Sequence, residues 1–139
     1  MRVLLSIKPE HVENIRRGTK TFEFRRRIFA RRDVQTVLIY CTRPVSRLIG
    51  EFDIADILED EPEALWASTA GGSGISKDFF DAYFEGRLRG YALQIGALRI
   101  YDEPICPSDW FDNFTPPQSY MYVAAAEACC PPPRQLAML

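Results

Sequence analysis

The six residues KTFEFR, 20–25, restrict the fold of this chain more than any other stretch. Their period is two. Phe22 and Phe24 fall on one side of an extended segment, and Thr21, Glu23 and Arg25 fall on the other. The segment therefore reads as a half-buried strand with one apolar face. Its polar face carries a hydroxyl, a carboxylate and a guanidinium in a row. Further strand-like runs recur along the chain: VLLSI (3–7), VQTVLIYCT (34–42), RLIGEFDIADILE (47–59), GYALQIGALRIYDEPI (90–105) and the end of TPPQSYMYV (115–123). Helical signals stand between them. Pro9 suits a first turn, with Val12 and Ile15 three apart and Gly18 as a left-handed stop. Pro62 follows acidic residues that suit a helix N-terminus and precedes Leu65 and Trp66. Ser76 is a plausible N-cap for Phe79, Phe80, Tyr83 and Phe84, and Gly86 ends that run. About six short strands with two or three short helices predict an α+β domain built on a small mixed β-barrel.

The same strand opens into an extreme of charge. Residues 16–32, RRGTKTFEFRRRIFARR, hold eight basic residues (Arg16, Arg17, Lys20, Arg25, Arg26, Arg27, Arg31 and Arg32), and the only acid among them is Glu23. The whole chain has 17 Lys and Arg and a formal net charge of −2, so the cluster is local. Seven acids in 50–65 form the opposite pole. Such a chain can hold a polyanion at one place while remaining acidic on average. Lys and Arg along a strand edge also discourage edge pairing, which is the plainer account of the cluster. Guanidinium matches phosphate bidentately, however, and this density is the footprint of a phosphate-tracking surface.

Composition removes several other classes. Of 139 residues, 47% are hydrophobic, enough for a real core, and no apolar run approaches the roughly 20 residues that span a bilayer. The apolar start before Lys8 is too short for a signal-peptide core, so the expected setting is cytoplasmic, without membrane contact. The four cysteines (Cys41, Cys106, Cys129 and Cys130) contain no C-x-x-C pair, and His11 is the single histidine, so no zinc site and no histidine-based triad is expected. GGSG (71–74) lacks the Gly-Lys-Ser/Thr that completes a phosphate loop, and reads as a flexible connector. The Ala- and Pro-rich residues 124–139 have no periodicity that could bury a face and are expected to form a mobile tail outside a domain of residues 1–123.

The site residues follow from the polar strand face. Lys20, Glu23 and Arg25 could line a pocket in which the carboxylate accepts from an exocyclic amine and the cations hold a phosphate or carbonyl. In the same place Glu23 could take a proton. Gln118 and Ser119 beside Tyr120 add an amide, a hydroxyl and a ring.

The segments LLSIKPEHVENIRRGTKTFEFRRRIF, VLIYCTRPVSRLIGEFDI, GISKDFFDAYFEG and TPPQSYMYV, in this order, resemble the ASCH family of the PUA-like superfamily. Gly18, Lys20, Glu23, Phe24 and Arg25 carry most of that likeness, which spans roughly residues 1–123. The resemblance implies a PUA-like β-barrel with a basic cleft for RNA, single-stranded nucleic acid or a modified nucleotide. It also implies a nucleic-acid surface of Arg16, Arg17, Lys20, Arg25, Arg26, Arg27, Arg31, Arg32, Gln118, Ser119 and Tyr120. Some members are similar to single-strand ribonucleases, which would give Lys20 and Glu23 catalytic roles. Others deacetylate 4-acetylcytidine with a lysine, a threonine and a glutamate. On that pattern Lys20 matches the lysine, Glu23 stands in the place of the threonine, and Thr21 is the nearest hydroxyl. No cofactor is expected. A divalent metal enters only in the nuclease reading, where Glu23 would need a second carboxylate or the substrate phosphates.

Overall fold

In the computed structural model, residues 1–124 are described; the expected tail lies, from 125 onward, outside them. Strand β1 (Arg2–Ile7) runs into helix α1 (Pro9–Arg17), which has Pro in its first turn and Gly18 at φ 81° closing its C-terminus. Strand β2 (Phe22–Arg25), β3 (Thr36–Cys41) and the long β4 (Arg47–Asp60) follow. Helix α2 (Pro62–Thr69), a single 3-10 turn over Ala70–Gly72 and helix α3 (Lys77–Tyr83) precede β5 (Gly90–Ile105) and β6 (Tyr120–Val123). Ser76 caps α3 as expected, its Oγ accepting from the Phe79 amide at 3.1 Å.

The strands form one mixed sheet in the order β2-β5-β4-β3-β1-β6, with β1 and β3 parallel and every other pair antiparallel. Six strands and three helices agree with the expected α+β class. The barrel does not. β2 and β6 stand at the two ends of the order with no backbone ladder between them, so the sheet remains open.

Side chains bridge what the backbone leaves apart. Arg25 Nη2 on β2 donates to the Ser6 carbonyl on β1 at 3.1 Å. Ser6 Oγ in turn donates to the Pro117 carbonyl at 2.7 Å, just before β6. Register shifts between Leu48/Gly50, Phe52/Ile54 and Ile54/Asp56 interrupt the β4–β5 ladder, and irregularities of this kind bend strands and increase their twist. The curl gathers Val3, Leu5 and Ile7, with Val12 and Ile15 of α1, around Val37, Ile39, Phe52 and Leu93. A second cluster centres on Leu4, Leu38, Tyr101 and Trp110, and a third packs Phe24, Leu65, Phe80, Phe84 and Ala92.

The third cluster positions α3. Phe80 is fully buried, meeting Phe24 edge-on at 5.2 Å, Trp66 at 5.0 Å and Phe84 at 4.8 Å between ring centroids. Truncating such a side chain typically costs about 3–5 kcal/mol in transfer and cavity terms. Phe80→Ala is therefore expected to lower the urea-unfolding free energy by about that amount, and a loss under about 1 kcal/mol would show that α3 is not anchored there.

Candidate functional site

The gap between β2 and the β1–β6 side of the sheet is a cleft of about 470 Å³. Its floor is formed by Glu23 and Arg25 of β2 together with Lys20, two residues before that strand. Lys20 and Glu23 are only 3% and 6% exposed. Lys20 Nζ lies 4.0 Å from Glu23 Oε1, and Arg25 Nε lies 3.3 Å from Glu23 Oε2 at an angle too oblique for a hydrogen bond. One carboxylate thus sits between two cations. Of the polar face read from the sequence, Glu23 is buried and Arg25 largely so, whereas Thr21 stays exposed.

Lys20 is held by more than Glu23. Its ammonium donates to the Ser73 carbonyl at 3.2 Å and lies 4.8 Å from the centre of the Phe24 ring. Ser73 also pairs with Lys20 through an isolated antiparallel bridge. Gly74, at φ +66°, packs so closely on Lys20 that a Cβ there would meet the Lys20 Cα at 2.9 Å. The 71–74 stretch therefore clamps the lysine, which corrects its reading as a flexible connector. Burial pushes the Lys20 ammonium below the usual lysine range; Glu23 opposes that shift and Arg25 adds to it.

The eight basic residues of 16–32 divide. Lys20, Arg25, Arg26 and Arg27 line the cleft. Arg16 and Arg17 lie outside it on the last turn of α1, paired with Glu13, and Arg31 is paired with Asp33 at 2.8 Å. Arg32 is exposed outside the lining. Gln118 and Ser119 face the cleft, whereas Tyr120 packs edge-on against Phe29 at 6.1 Å. Thr21 is exposed outside the lining, its hydroxyl donating to the Gly72 carbonyl at 3.4 Å.

The structure adds residues that the sequence did not single out. Lys8, His11, Phe79, Tyr83 and Arg87 also line the cleft. The six cations there face one carboxylate, Glu23. Arg26 is committed, with Nε donating to the Tyr83 carbonyl at 2.7 Å and its guanidinium over the Tyr83 ring at 4.4 Å. Lys8, Arg27 and Arg87 are exposed and have no ion-pair partner among the described residues. They are the charges left for a ligand. A divalent metal does not fit this donor set. Glu23 is the single carboxylate of the lining and already lies against two cations, and no group of three or more metal-binding side chains occurs among the described residues.

A profile of the ASCH domain family matches residues 5–103. The chain belongs to the ASCH domain family. It is 32% identical over 130 residues to an ASCH domain-containing ribonuclease of Zymomonas mobilis, covering 89% of this chain and 85% of that protein. The crystal structure of ASCH from Zymomonas mobilis superposes with a TM-score of 0.84 at 29% identity, covering 99% of this chain and 94% of that one. A shorter match, 32% identical over 91 residues, covers 65% of this chain and 29% of the large ribosomal subunit protein uL22 of Ureaplasma parvum.

His11 supplies a clean probe of this ASCH cleft because it is the single histidine of the chain. Burial, and then Lys20, hold its imidazole below the usual histidine value; Glu23 and Glu10 oppose them, and Lys8 adds a little to the lowering. The folded state then binds fewer protons than the unfolded chain as pH falls through 6.5, so the His11 contribution to stability is lost on acidification from about that pH down through the folded value. In an NMR titration the one histidine signal is expected to have its midpoint below 6.5. A midpoint at or above 6.5 would place the ring in solvent or beside an uncompensated carboxylate.

Proposed function

We propose that this protein binds single-stranded RNA in the cleft between β2 and the β1–β6 side of the sheet, and that it acts in the cytoplasm. The observation that carries the reading is the charge arrangement. Buried Lys20 and Glu23 with partly buried Arg25 form the floor, and exposed Lys8, Arg27 and Arg87 line the cleft without an ion-pair partner among the described residues. Exposed guanidinium and ammonium groups neutralise phosphates and release counterions, whereas already paired arginines gain less. An opening of this size with a carboxylate on its floor accepts a base that is not already paired, since Glu23 can receive a hydrogen bond from an exocyclic amine and Lys20 can donate to a carbonyl. Buried Cys41 fits a reducing compartment.

A second reading, cleavage of the bound strand, is favoured by the Zymomonas mobilis relative named as a ribonuclease. Lys20 and Arg25 would stabilise charge building on the phosphoryl oxygens. The lowered Lys20 pKa brings that ammonium closer to proton transfer at neutral pH. Glu23 keeps both cations in place. The deacetylase reading has less support, because Thr21, the nearest hydroxyl on the strand, lies outside the cleft.

Labelled single-stranded RNA, incubated with the protein across a salt series and followed for both retention and cleavage, tests both readings. Arg27→Ala and Arg87→Ala are each expected to reduce the magnitude of the log–log salt slope by about 0.7, the change for one phosphate contact on a single strand. Arg16→Ala and Arg17→Ala should leave it unchanged. Retention that ignores salt and all four changes would remove the RNA reading. Cleavage that persists in Lys20→Ala at equal purity would remove the cleft from the chemistry.

A further inference from the structure

Helix α3 presents two faces, and the core uses one of them. Phe80 and Phe84 are buried at 0% and 2% exposure, while Phe79 is 40% exposed. Phe79 and Tyr83 lie four residues apart on the other face, and both line the cleft. Tyr83 is tied down, its hydroxyl donating to the Phe24 carbonyl at 3.3 Å and its ring covered by Arg26. Phe79 belongs to none of the three core clusters. Its ring contact is with His11, met edge-on at 5.4 Å between centroids and 76° between planes.

A single exposed phenylalanine on a protein surface is ordinary and carries no inference. This one stands in the wall of a cleft lined by three exposed cations, Lys8, Arg27 and Arg87, without an ion-pair partner among the described residues. An edge-on neighbour fixes a ring while leaving ring face uncovered. Burial and then Lys20 hold the His11 imidazole below the usual histidine value, which favours the neutral ring. His11 Nδ1 is itself buried without a hydrogen-bond partner, so the ring is oriented by packing.

We infer that Phe79, braced by His11, is the stacking platform for one unpaired nucleobase, with the adjoining phosphates held at Arg27 and Arg87. The inference rests on the RNA-binding reading and assigns it a residue that recognises the base rather than the backbone. Every base has a π-face, so stacking is tolerant of sequence and needs only that the base be free of a helix. The floor carboxylate and ammonium lie below this wall, within the same cleft, where the edge of a stacked base can meet them.

A short single-stranded RNA carrying one 2-aminopurine distinguishes the platform from the general binding. Anisotropy at low salt reports affinity, and 2-aminopurine quenching reports stacking. Wild-type protein is expected to bind and quench. Phe79→Ala should lose the quenching and weaken binding about 5- to 100-fold, as removal of an aromatic stacking partner does. Phe79→Trp should restore both. Phe79→Leu, apolar but without a π-face, should behave like the alanine variant. Wild-type affinity and quenching in Phe79→Ala would overturn the platform and leave RNA binding intact. No binding by the wild-type protein at low salt would overturn both.

Discussion

Arg25 joins parts of a sheet that backbone hydrogen bonding leaves separate, and both fold and site depend on that join. Its guanidinium reaches the Ser6 carbonyl, and Ser6 reaches Pro117, so two hydrogen bonds connect β2, β1 and the approach to β6. An open curled sheet without such a bridge would expose the ends of its core along the gap. With it, the gap narrows to a cleft lined by the side chains that do the bridging. Removing Arg25 would leave Glu23 with Lys20 at 4.0 Å and would break the part-buried hydrogen bond to the Ser6 carbonyl. Stability and function are therefore coupled at the same residue.

The floor is a buried charge group with more positive than negative charge, which a fold selected only for stability would avoid. Its geometry is nevertheless well supported. Ser73 accepts from Lys20, Phe24 lies beside the ammonium, and Gly74 permits the backbone of the clamp to approach closely. The excess of cations is concentrated where solvent or a ligand enters. Contrast the other buried carboxylate, Glu51, which accepts from Arg99 and from the Tyr101 hydroxyl at 3.0 Å. That network is closed by its own partners. The cleft is open to partners from outside.

The sequence disclosed the local parts well. Period-two alternation located β2, Pro9 and Gly18 framed α1, and Ser76 marked the start of α3, which ends at Tyr83 with Phe84 as its C-cap, before the expected stop at Gly86. Charge density located four of the six cations of the site, Lys20, Arg25, Arg26 and Arg27, while the other four basic residues of 16–32 lie outside the cleft. What alternation cannot tell is the environment of each face. Arg25 meets Ser6 across 19 positions and Lys20 meets Ser73 across 53, so the burial of the polar face is a product of long-range closure. The same reason hid Lys8, His11, Phe79, Tyr83 and Arg87, none of which lies in the charged stretch. It also explains the open sheet: strand count and pattern are the same for a barrel and for a curled sheet whose last ladder is replaced by side chains.

Photo-crosslinking of the protein to single-stranded RNA, followed by peptide mapping, tests binding in the cleft directly, because it reports which surface touches the nucleic acid without altering a residue. Crosslinks are expected on α3 at Phe79 and Tyr83, on His11 and in the 117–119 segment, all around one cleft. Crosslinks concentrated instead on Trp110, Phe111 and Phe114, aromatic residues outside that cleft, would contradict it.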